Sequence, residues 1–145
     1  MIQQPSKNFI NLCCNSEKCK LTAYVDTGGV LTIGYGHTGI DVKPEMTITQ
    51  EQAEKLFISD CAVFIRCLNK YQFDINQNQF DAILDLIYNI GPGNFAKDTA
   101  LVNAIKTKSG AQIVAAFNKH VYDKFGAKQP GLVTRRQREI NLYFQ

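Results

Sequence analysis

The sequence predicts a mainly helical α+β protein in which a small antiparallel sheet lobe and a helical lobe are joined by a long helix. Three observations carry this. At 145 residues the chain has the size of one domain that buries its own core. From about Asp74 onward apolar residues recur at helical spacing, with clear stop signals. Residues 21–40 differ in kind, placing β-branched and aromatic residues between Asp-Thr-Gly-Gly and Gly-Tyr-Gly, which reads as two or three short strands with tight turns. The expected boundaries are a sheet lobe over about 18–48, a joining helix over about 49–70, and a helical lobe over about 71–145 together with an amino-terminal helix.

The elements follow in order. The opening MIQQPSKNFINLCC has neither the basic start and apolar run of a signal peptide nor the roughly 20 apolar residues of a membrane span. No stable membrane insertion is expected, so a protein acting beyond a membrane needs a separate route out. Glu17 falls where the first helix should end, and Asp26 in the first turn of the sheet. Thr32 follows on the returning strand, near enough through the turn to share a water with Asp26.

Thr49 with Gln52 forms a capping-box pattern that opens a helix running to Lys70. Ala53, Leu56, Phe57, Phe64 and Cys67 line its apolar stripe, and Asp60 falls on that stripe, where an unpaired carboxylate is costly. His37, from the Gly-Tyr-Gly-His corner, is its expected partner in a structural role. Asn76 with Gln79 opens a second helix, apolar on nearly all sides up to Gly91-Pro92, which belongs at the centre of the helical lobe. Shorter helices are expected at about 98–107, 110–120 and 132–143. The final EINLYFQ reads as native and amphipathic.

Charge is uneven: residues 1–96 carry seven Lys and Arg against ten Asp and Glu, whereas residues 97–145 carry nine against three. The basic final third is either a solvated helical surface or a face for an anionic polymer. Arg135, Arg136 and Arg138 raise a nucleic-acid reading, but no helix-turn-helix signature or aromatic platform accompanies them, so no nucleic-acid partner is expected. Five cysteines, at 13, 14, 19, 61 and 67, fit no common zinc spacing, so no metal is expected. Cys61 and Cys67 read as helix core, while Cys13, Cys14 and Cys19 flank Glu17, where a redox or nucleophilic role is the alternative to plain reduced thiols.

Glycosidic hydrolysis needs a proton donor for the leaving oxygen and a second carboxylate that attacks or activates water. Glu17 and Asp26, in separate segments, suit that division. The same residues also read as a surface glutamate and an ordinary turn in which Asp bonds backbone amides.

The pattern Glu17, Leu21, Tyr24, Asp26, Gly29 and Thr32, running into Ile33-Gly34-Tyr35-Gly36-His37-Thr38, resembles the signature of phage-type lysozymes, glycoside hydrolase family 24. Ala53-Glu54-Lys55-Leu56-Phe57 with Asp60, Tyr88-Asn89-Ile90-Gly91-Pro92-Gly93, and Pro130-Gly131-Leu132-Val133 with Arg135-Arg136 extend the resemblance over nearly the whole chain. It departs at Lys18, where the family often has Gly after the catalytic Glu. The resemblance implies a lysozyme-like two-lobed fold and hydrolysis of the β-1,4 bond between N-acetylmuramic acid and N-acetylglucosamine in bacterial peptidoglycan. Glu17 is then the general acid, Asp26 and Thr32 position water for inversion, and Thr38, Tyr88 and Asn118 contact the sugars. The implied protein is a monomer that uses no cofactor and reaches the wall through a separate pore protein. A wall-binding module without catalysis and a lytic transglycosylase are the alternatives.

Overall fold

The computed structural model describes residues 2–14 and 18–145. The chain divides into two compact units, one of residues 13–63 and one of residues 64–145 with the amino-terminal segment through Leu12.

In the first unit, β1 (Lys20–Val25), β2 (Leu31–Gly34) and β3 (His37–Thr38) form an antiparallel sheet in the order β1-β2-β3. Tyr24 pairs with Thr32, Thr32 with Thr38, and Ile33 with His37, so Tyr24, Thr32 and Thr38 stand in one row across the sheet. The outer edge of β1 is covered by the 46–48 segment, with Ala23 N–H donating to the Met46 carbonyl and Ile48 N–H to that of Leu21. A covered edge cannot recruit another chain. Ile33, Tyr35, Val42, Ile48, Ala53 and Phe57 bury the other face, with the Tyr35 and Phe57 rings 5.3 Å apart. Gly34 turns the chain at φ 66°, and a Cβ there would meet that of Ala53 at 3.5 Å.

The expected helix over 49–70 is two helices. Both halves of the Thr49–Gln52 capping box are made at the start of α2 (Gln50–Asp60). Cys61, at φ −78° and ψ −1°, then shares its N–H between the Phe57 and Ile58 carbonyls at 3.0 and 3.2 Å, and α3 (Ala62–Lys70) begins after it. Such a shared bond tightens the last turn and ends the α-helical ladder. The apolar stripe continues across this break, which is why hydrophobic spacing does not reveal it.

The second unit holds α1 (Lys7–Cys14) as far as Leu12, together with α4 (Gln77–Ile90), α5 (Pro92–Lys97), α6 (Thr99–Thr107), α7 (Gly110–Asn118) and α8 (Pro130–Tyr143). The Asn76–Gln79 capping box opens α4, whose Phe80–Ile87 stretch is wholly buried, Asp81 and Asp85 included. A helix buried on all sides is the centre around which the others pack. Ser6 holds Asp81 through its N–H and hydroxyl, and burial still pushes this carboxyl above the usual range, outweighing those bonds and that from Gln77. Ile140, Leu142 and Tyr143 are buried, which makes the EINLYFQ end part of the core.

Two helix starts escape sequence reading for one reason. Pro92 and Pro130 sit in the first turn of α5 and α8, where the missing N–H costs nothing and the fixed φ suits the helix. Gly91-Pro92 is a stop for α4 and also the start of α5.

Candidate active site

Asp26 builds its own loop. At the end of the β1–β2 hairpin its N–H donates to the Val30 carbonyl at 2.9 Å, while its Oδ1 accepts the N–H groups of Gly28 and Val30 at 2.8 and 2.9 Å. Both glycines suit this geometry: a Cβ on Gly28 would crowd Asp26 Oδ1 at 3.3 Å, and Gly29 has φ 80°, which favours glycine. One carboxylate oxygen is thereby anchored, while Oδ2 makes no hydrogen bond among the described residues.

Thr32 is 3% exposed, and its hydroxyl donates to the Val30 carbonyl at 2.9 Å. That carbonyl therefore accepts from both the Asp26 backbone and the Thr32 side chain. With its proton committed inward, Thr32 Oγ1 keeps lone pairs for an incoming donor. Thr38, exposed, stands beside Thr32 in the same cross-strand row. Glu17 lies outside the described residues.

His37 is held by two carboxylates. Its Nδ1 is 2.8 Å from Asp60 Oδ2 and its Nε2 is 2.8 Å from Asp41 Oδ2. Burial alone would lower its pKa, but these partners outweigh it and raise the imidazole above its ordinary value. Asp60 is not the buried carboxylate that helical spacing suggests, because its side chain is 42% exposed and it lies at the end of α2. Asp41 is missed by sequence reading, although its spacing of four residues from His37 is a visible signal.

The thiols of Cys14 and Cys19 gather at the Tyr35 hydroxyl, Cys14 Sγ at 2.9 Å. Burial pushes the Tyr35 phenol upward, and Cys14 adds to this. Cys61 is fully buried and Cys67 partly so. Among the described residues no group of three or more His, Cys, Asp or Glu side chains is placed to hold a metal.

In the helical unit Tyr88 is half-buried near the end of α4, its ring 5.3 Å from that of Phe64 and 6.0 Å from the Arg135 guanidinium. Asn118 is exposed on the last residue of α7. Arg135 and Arg136 are not an exposed basic turn. Arg135 forks onto Asp85 with two bonds of 2.9 Å, at 7% and 0% side-chain exposure. Arg136 donates to Glu139 Oε1 at 2.8 Å and to the His120 carbonyl at 3.0 Å, and its Nε lies 2.7 Å from Glu139 Oε2 at an angle too bent for a hydrogen bond. Burial and the neighbouring Asp85 push Glu139 well above the usual carboxylate range despite Arg136. Sequence reading misses Asp85 as a partner, although Asp81 and Asp85 stand out as charges on an otherwise apolar helix.

A sheet unit carrying an anchored carboxylate beside a buried threonine hydroxyl, with a helical unit around a central helix, defines a class that comparison places. Residues 14–139 match the family model for phage lysozyme. The chain belongs to the phage lysozyme family. It is 38% identical to the endolysin of Bacillus phage PZA over 144 residues, 97% of this chain and 55% of that protein. It is 35% identical to the endolysin of Salmonella phage P22 over 147 residues, 98% of this chain and 99% of that one. The chain thus spans about half the length of the Bacillus phage endolysins and nearly all of the P22 protein. A crystal structure of a P22 lysozyme point mutant superposes with a TM-score of 0.84 at 34% identity, covering 99% of both chains. The α+β lysozyme-like fold is therefore that of the family.

Proposed function

We propose that this protein hydrolyses bacterial peptidoglycan as a muramidase, cleaving the β-1,4 bond between N-acetylmuramic acid and N-acetylglucosamine with inversion, for lysis of a bacterial cell. The observation that supports this best is the shared Val30 carbonyl, which ties Asp26 and Thr32 together while Asp26 Oδ2 and the Thr32 lone pairs accept no hydrogen bond among the described residues.

In this mechanism Glu17 protonates the leaving glycosidic oxygen. Asp26 Oδ2 accepts the proton of a water that donates its other hydrogen to Thr32 Oγ1, so the water's remaining lone pair attacks the anomeric carbon. Thr38, Tyr88 and Asn118 contact the saccharide, Tyr88 by stacking. His37 and Asp60 hold the segment that carries Thr38. The protein works as a monomer, without cofactor, and reaches the wall after a separate pore protein opens the membrane. The phage endolysin relatives support the lytic setting, and some are named SAR-endolysins. Among the described residues no helix is long and apolar enough to cross a membrane.

Reducing ends released from purified peptidoglycan test the proposal. Wild type releases them, and Glu17→Gln and Asp26→Asn lose about a hundredfold or more. Mass spectrometry separates hydrolysis from transglycosylation, whose anhydro product is lighter by one water, and proton NMR of fresh product reads inversion. Wall binding by the wild type without release makes the protein a binding module instead.

A further inference from the structure

Two thiols that flank Glu17 along the chain end at one hydroxyl. Tyr35, 8% exposed, meets Cys14 Sγ at 2.9 Å, hydrogen-bonds the Cys19 thiol and accepts the Gln50 side-chain amide at 2.7 Å. Cys19 Sγ in turn lies 3.8 Å from Gln50 Oε1, so two sulfurs, a phenol and a carboxamide form one cluster. All four residues belong to the sheet unit. Cys14 is exposed and Cys19 half-buried, whereas Cys13 and Cys61 are fully buried.

A fully buried cysteine acts as a small apolar filler, but an exposed sulfur within two hydrogen-bond lengths of a second one is open to exchange with a disulfide from solution. Exposure makes Cys14 the sulfur reached first. Burial pushes the Tyr35 phenol upward, so it keeps its proton and can donate it to a thiolate. At Cys19 burial raises the thiol, and the Tyr35 hydroxyl pulls the other way, favouring the thiolate.

We propose that Cys14 and Cys19 are a dithiol site that a low-molecular-weight disulfide of the glutathione class oxidises to one internal disulfide. The Cys14 thiolate attacks the external disulfide, forming a mixed disulfide and expelling one thiolate, which takes up the proton that Cys14 released. The Cys19 thiolate then attacks Cys14 Sγ and expels the second thiolate, which takes up the proton from Cys19. The protein loses two hydrogens and the oxidant gains two. The new bond, about 2 Å long, removes both S–H groups from the cluster and closes a ring of residues 14–19, within which Glu17 lies along the chain. A ring that short restrains the backbone on both sides of Glu17. Resting on the function proposed above, the oxidised protein is the less active form, because a catalytic group misplaced by about 1 Å costs roughly a hundredfold.

The full chain is treated with oxidised glutathione, and its mass, its peptide map and its release of reducing ends from peptidoglycan are measured. Wild type is expected to lose two hydrogens, to yield peptides joined through Cys14 and Cys19, and to slow about a hundredfold until dithiothreitol restores it. Cys14→Ser and Cys19→Ser keep a hydrogen-bonding group at each position. Both are expected to match wild type when reduced and to form no internal bond, with Cys19→Ser holding glutathione on Cys14 instead. No cross-link, a cross-link through Cys13, or full activity of the cross-linked protein overturns the proposal. The function reading fails separately: a protein that gains the bond but releases no reducing ends even when reduced leaves the thiol site assigned and removes the hydrolase.

Discussion

Asp26 illustrates how one side chain serves structure and chemistry at once. Its Oδ1 closes the hairpin through Gly28 and Val30, and an asparagine at this position keeps an oxygen able to accept both bonds. Asp26→Asn should therefore retain the wild-type circular dichroism and urea midpoint while losing activity. A parallel loss of stability would show that the charge serves the turn. At Thr32, where the hydroxyl is buried, Thr32→Ser should preserve much of the rate and Thr32→Val should not.

His37 yields a prediction with a definite sign. Because its folded pKa is raised, the pairing with Asp41 and Asp60 contributes fully below the ordinary imidazole value and is lost as pH rises through the folded value. A neutral ring carries one N–H, so it donates to one carboxylate and turns a lone pair on the other. Asp60→Asn should lower the His37 pKa in an NMR titration. Its stability deficit against wild type, from urea midpoints, should be larger at about pH 6 than at about pH 9. An unchanged pKa contradicts the assignment.

At the scale of elements, helix starts govern the architecture. Asn76 accepts Gln79 N–H and Gln79 returns a bond to Asn76 N–H, both at 2.9 Å, fixing where the central helix begins. Asn76→Ala should cost about 1 kcal/mol, visible as a lower urea midpoint with unchanged slope. These caps are legible in sequence because a capping box depends on residues three apart. The break at Cys61 is not legible, since it depends on one residue's backbone angles within an unbroken apolar stripe. Proline starts at α5 and α8 are readable in principle, because Pro favours the first helical turn as well as the place after a helix.

For the whole molecule, the basic final third takes on a different meaning once Arg135 and Arg136 are buried on Asp85 and Glu139. Its outward charge is then carried mainly by lysines, Lys97 and Lys124 among them. The Asp85–Arg135 pair links α4 to α8 inside the core, where a lone charge is expensive. Arg135→Ala should destabilise by about 3–5 kcal/mol in urea unfolding, because Asp85 is left buried without its fork. Replacing both residues by apolar ones of similar volume should cost less than that single change. A double variant that loses more than either single one would show that the pair does more than neutralise itself.

By itself the sequence determined what depends on near neighbours: the capped helices, a small sheet of two or three short strands, the Asp-Thr-Gly-Gly turn, and the family pattern through Glu17, Asp26 and Thr32. These are legible because backbone sterics, side-chain spacing and turn hydrogen bonds act over a few residues. Tertiary structure decided which further charges meet: Arg135 with Asp85 across 50 residues, His120 with Asp98 across 22, and His37 with Asp41 in addition to the Asp60 that helical spacing already pairs with it. The physical reason is that the cost of burying a charge, and the gain from pairing it, are set by what the folded chain brings alongside, which spacing along the sequence does not encode.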